Sequence, residues 1–182
     1  MSMLKKMGIL FILAGIAQLS FVSLSQDSQR QSIGLGTAIT ESQLQDFDLI
    51  APPDGSGYPD GSGTAFQGRE VFEARCAACH AINGEGTSGN TRLVGGNIHS
   101  EGNPIRTVGS YWPHASTLFD YVRRAMPADA PKSLSNVEVY QVTAYVLYLN
   151  GIIDQYKILN RESLVDIQMP NKDGFIDRSQ VQ

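Results

Sequence analysis

Cys76-Ala77-Ala78-Cys79-His80 sets two thiols three residues apart and an imidazole directly after the second. That is the attachment signature of a c-type haem. Thiols at this spacing form thioethers to the two vinyl groups of one porphyrin, and His80 then lies under the iron as its proximal ligand. Zinc is the plain competitor, but it takes four N/S ligands at known spacings. The other histidines, His99 and His114, do not have finger spacing. A thioredoxin-like redox pair needs a βαβ context, and no such pattern surrounds Cys76.

The 182 residues allow one modest domain with appendages. The haem consumes both cysteines, so neither a disulfide nor a thiolate-ligated iron is expected. The formal net charge is −4, which argues against nucleic acid and suits a basic docking partner. Lys5 and Lys6, the apolar run Met7 to Ala17 and the small residues Ser23 and Ser25 read as an export signal over residues 1–25. Left uncleaved, Met7 to Leu24 is at the short end of a membrane span. Either way the domain is expected outside the cytoplasmic membrane, in the periplasm, with membrane contact only if the segment stays attached.

Residues 26–63 read as an irregular arm, since Ala51 to Gly63 is dense in Pro, Gly, Asp and Ser. The haem domain is expected over 64–151. Its first helix spans about Thr64 to Arg75, with Ser62 or Thr64 as cap; Gly68, Phe72 and Cys76 recur every four residues and share a face. Residues 81–110 are glycine-rich and read as a loop over the haem edge. A middle helix from about Ser116 to Arg124 is stopped by Pro127. The last helix begins at the capping box Ser135-Asn136-Val137-Glu138 and ends at Asn150-Gly151. Residues 152–182 read as an extended tail. The fold class is therefore all-α, with one haem as much of its core.

A second axial ligand must come from beyond the loop. Met126, in Arg124-Ala125-Met126-Pro127 at the end of the middle helix, is the first candidate. His/Met ligation raises the potential. His114 and Met169 are the alternatives, and an ordinary core methionine is the plain reading of Met126. Trp112, a donor only, could reach a haem propionate, as could Arg106; packing and solvation are the simpler roles. Arg123 and Arg124 read as surface charges or docking contacts.

The helix before Cys76, the C-x-x-C-H, the late Met-Pro and the aromatic last helix together resemble class I cytochrome c. In that family a glycine and an aromatic, here Gly68 and Phe72, cross an apolar-x-x-Tyr pair on the last helix, here Val142 and Tyr145. Gly34 to Phe175 further resembles the haem subunit that accompanies the molybdopterin enzyme in bacterial sulfane dehydrogenase of the Sox system and in related sulfite dehydrogenases. The matching residues are Thr107 to Pro113, Ser116 to Pro127, Glu138 through Gly151 and Met169 to Phe175. Two departures stand: that subunit typically carries two haem domains, and the proline whose carbonyl commonly holds the proximal histidine is missing. The carbonyl of Thr91 or Arg92 is the substitute available.

The resemblance implies an electron-transfer subunit with one covalent haem c, accepting electrons from a molybdopterin sulfite or sulfane dehydrogenase subunit and passing them to a soluble cytochrome c. No acid/base or nucleophile constellation suggests catalysis by the chain itself. A stand-alone periplasmic carrier to a terminal oxidase is the rival, and a haem-based catalyst or sensor would need the open position that Met126 fills. Arm and tail lack apolar periodicity, so they are expected to bury little alone. Their isolated apolar residues, Phe47, Leu49 and Ile50 in the arm and Met169, Pro170 and Phe175 in the tail, are expected to anchor on a partner.

Overall fold

The computed structural model describes residues 36–176 apart from 46 and 48. The expected signal, the start of the arm and the last six residues lie outside the described residues. A division falls between Ala38 and Ile39; the following concerns the unit that begins at Ile39. Its described residues form helices and loops with only isolated β-bridges, an all-α fold.

The helices are α1 (Glu41–Gln45), α2 (Ala65–Arg75), α3 (Ala77–His80), α4 (Val108–Tyr111), α5 (Ala115–Ala125), α6 (Asn136–Leu149) and α7 (Arg161–Val165). The starts of α2, α4 and α6 are among those fixed by local chemistry. Thr64, Thr107 and Ser135 each accept from the amide three residues on, while the side chain of that residue returns to the cap amide. These reciprocal bonds satisfy donors that a helix N-terminus otherwise leaves bare.

The packing of α2 on α6 is the most extensive in the fold. Gly68 makes it possible: a Cβ there would overlap the Gln141 carbonyl and stand 3.1 Å from Tyr145 Cβ. One turn on, Phe72 meets Tyr145 at 5.2 Å between ring centroids. The backbone of Gln141 and the Cβ of Tyr145, rather than Val142, are what Gly68 faces; Val142 is also buried. On the other side of α6, Tyr140 meets Phe119 of α5 at 4.6 Å, and Phe119 meets Tyr58 of the arm at 5.4 Å.

The arm and tail do not behave as their composition suggested. Ala51, Tyr58, Leu159, Leu164 and Met169 are all buried in the common core. Gly63 and Leu159 exchange backbone bonds of 2.9 and 2.8 Å, Tyr140 donates its hydroxyl to the Pro59 carbonyl at 3.0 Å, and Asn171 donates to the Tyr111 carbonyl at 2.6 Å. Their burial depends on single side chains set by turns, which leave no period in sequence. Of the expected anchors, Phe47, Ile50 and Phe175 remain exposed, whereas Met169 is spent on the chain's own core.

Candidate haem-binding site

Helix α2 ends at Arg75, and Cys76 caps it with its amide bonded to the Phe72 carbonyl at 2.8 Å. The motif then forms the single turn α3, so both thiols and the imidazole hang from the end of the helix that Gly68 docks on α6. Ala81 follows with φ of 60°, a left-handed conformation uncommon for alanine. The reversed chain brings the Gly86 amide to the His80 carbonyl at 2.8 Å and the Thr87 hydroxyl to the Cys79 carbonyl at 3.1 Å.

His80 Nδ1 lies 2.9 Å from the Thr91 carbonyl. A carbonyl only accepts, so the proton sits on Nδ1 and Nε2 keeps its lone pair. A fixed ring with one bare nitrogen is the arrangement of a metal-ligating histidine. Of the two carbonyls available without the proline, that of Thr91 makes the contact.

The loop carrying Thr91 is fastened to α6 by Asn150. Its side-chain amide donates to the carbonyls of Leu93 at 3.2 Å and Val146 at 2.9 Å, and its oxygen accepts from the Gly95 amide at 3.3 Å. Sequence reading assigned Asn150 only to ending the helix. Its wider role rests on contacts across more than fifty residues, which no local pattern announces.

The other candidates come from the far side of that loop. Met126 caps the C-terminus of α5, half-buried, with its amide bonded to the Val122 carbonyl at 3.2 Å; the following peptide to Pro127 is cis. Trp112 caps α4, is half-buried and meets Tyr121 edge-on at 6.0 Å. Arg106 is exposed and lies 5.1 Å over the Tyr111 ring. His114 caps α5 and is exposed, and Met169 is buried beneath the tail. Arg124 is exposed and paired with Asp120, but Arg123 is half-buried and bonded to the arm.

The donor set fits a covalent haem better than a metal ion. Burial pushes the Cys76 thiol up to about 11, which is compatible with a sulfur held as an uncharged thioether. A zinc site takes four N/S ligands. Among the described residues no group of three or more His, Cys, Asp or Glu is placed to hold a metal ion. No helix among the described residues is long and apolar enough to cross a membrane.

An all-helical fold that presents C-x-x-C-H at the end of a helix docked through glycine defines a c-type cytochrome domain, an electron-transfer haem protein. The family described as cytochrome c oxidase, cbb3-type, subunit III, matches residues 63–146. A chain in the crystal structure of the sulfane dehydrogenase SoxCD from Paracoccus pantotrophus is 35% identical, with a TM-score of 0.76 over 83% of this chain and 75% of that one. No curated protein matches. The chain belongs to the c-type cytochrome family and is similar to that sulfane dehydrogenase chain.

Proposed function

We propose that the chain is a monohaem electron-transfer subunit of a sulfur-oxidising dehydrogenase in the periplasm. Cys76 and Cys79 hold one haem c covalently, and His80 and Met126 are its axial ligands. The observation that carries the site is the His80–Thr91 bond of 2.9 Å beside two free cysteines. When bound, the haem supplies reversible one-electron exchange. The chain's own residues do the rest: Thr91 keeps the imidazole proton on Nδ1, Asn150 holds the loop that carries Thr91, and α5 presents Met126. Trp112 and Arg106 are the candidates for the propionates.

The partner reading rests on the 35% identity to a chain of sulfane dehydrogenase. The donor is then a molybdopterin sulfane or sulfite dehydrogenase subunit, and the acceptor a soluble cytochrome c. Arm and tail do not separate this from a stand-alone carrier, because both fold onto the haem domain itself. Phe47, Ile50 and Phe175 are exposed and remain available to a partner.

Acid–acetone extraction of the native protein tests attachment: the haem should stay with the polypeptide, and its release would sink the covalent assignment. Mixing the ferric protein with its molybdenum subunit and sulfite or thiosulfate tests the role. Rapid reduction is expected. A protein that stays oxidised there, yet exchanges electrons freely with other cytochromes, is a stand-alone carrier.

A further inference from the structure

We propose that Arg123 is a positioning residue for Met126, acting through the arm that it fastens to α5. This rests on the reading of Met126 as axial ligand.

Arg123 stands three residues before Met126, in the last turn of α5. Its guanidinium is half-buried, and its hydrogen-bond partners are two backbone carbonyls. Nη1 donates to Leu49 and to Gly57, both at 3.1 Å. Those carbonyls lie at the two ends of one loop of the arm, so a single cation bridges its ends. Gly57 within that loop has φ of +74°, and a Cβ there would overlap the Ile50 carbonyl. One turn earlier on α5, Asp120 accepts from the Ala51 amide at 3.0 Å and pairs with Arg124.

A half-buried guanidinium without a carboxylate on it is costly unless its bonds accomplish something. These bonds join the outer side of α5 to the arm. The arm is in turn held by α6 through the Tyr140 hydroxyl on Pro59, and it packs on α5 through the Tyr58 ring against Phe119. The inner side of α5 is held by Leu118, Phe119 and Val122 in the core. The last turn is therefore gripped from both sides, and the Met126 backbone moves with it through the bond to Val122 at 3.2 Å. Releasing the arm leaves one side only, and conformers with Met126 withdrawn become more populated.

The test is binding of imidazole to the ferric holoprotein, which reads that population because an outside ligand needs the position Met126 vacates. Apparent affinity scales with the fraction of competent conformers. Loss of two hydrogen bonds from a charged donor is expected to raise it about tenfold in Arg123→Gln. Arg123→Lys should recover part of the wild-type value. Gly57→Ala disturbs the arm without replacing any residue of α5 and should move affinity the same way, so the outcome does not depend on Arg123→Gln folding. Limited proteolysis within residues 49–58 reports whether the arm has come away. Variants whose arm is cut readily but whose imidazole affinity stays within about twofold of wild type overturn the proposal. Met126→Ala separates the two layers: if it binds imidazole no better than wild type, Met126 is not the ligand and the inference falls with that reading. A clear gain in Met126→Ala with none in Arg123→Gln or Gly57→Ala removes the inference alone.

Discussion

Gly68→Ala should destabilise the protein although it replaces glycine by the best helix former. In the middle of α2 the added methyl gains about 0.5–1 kcal/mol of helix propensity. Against that, the new Cβ would overlap the Gln141 carbonyl oxygen, stand 2.5 Å from its carbon and 3.1 Å from Tyr145 Cβ. The first two are backbone atoms inside α6 and cannot swing aside. The helices must separate, which also loosens Phe72 on Tyr145. Overpacking of this kind costs about 1–3 kcal/mol; contact with fixed backbone places it at the upper end, so the net loss is about 2 kcal/mol and the thermal midpoint falls by about 4–8 °C. Thermal unfolding of the holoprotein followed by circular dichroism measures it. Gly89→Ala is the control, because nothing lies within 4 Å of that position; it should be neutral or stabilise by about 0.4–1 kcal/mol. The effect should extend to the haem, since Cys76 caps the displaced helix, and haem incorporation in Gly68→Ala should fall. A midpoint equal to or above wild type would refute the claim that backbone contact at Gly68 sets the α2–α6 crossing.

Two further outcomes are expected. Leu159 in the tail is fully buried, so Leu159→Ala should cost about 2–5 kcal/mol in denaturant unfolding; a loss under about 1 kcal/mol would mean that the tail is dispensable to the core. Hydrogen bonds from the Ser135 side chain and backbone hold the Glu138 carboxyl below its usual value. Its contribution is therefore complete above the ordinary value of 4.5 and disappears as pH falls through the lower folded-state value. Glu138→Ala should cost about 0.5–1 kcal/mol at pH 7 and progressively less below pH 4.5; an undiminished difference at pH 3 would place the effect in packing rather than in the cap.

The parts of this protein that can be read from sequence are those whose cause is local. C-x-x-C-H is one covalent unit. Ser135 and Glu138 write the start of α6 three residues apart, and Thr64 and Gln67 do the same for α2. The Gly68–Phe72 spacing predicts a close crossing because both sit on one helical face, though the residue crossed is Gln141 and not the one an apolar pattern selects. Arm and tail fail by the same criterion. Leu159 is buried because a bridge to Gly63 turns it inward, and Tyr58 because Phe119 and Tyr140 stand beneath it. Arg123 shows the limit most plainly. Beside Arg124 it is one of two equal charges in sequence, yet one pairs with Asp120 at the surface and the other bridges the ends of a loop more than sixty residues upstream. What separates them is a phase of about 100° around α5 and a segment whose path composition does not specify. Residues whose role is to hold another element in place are therefore the ones a single sequence hides.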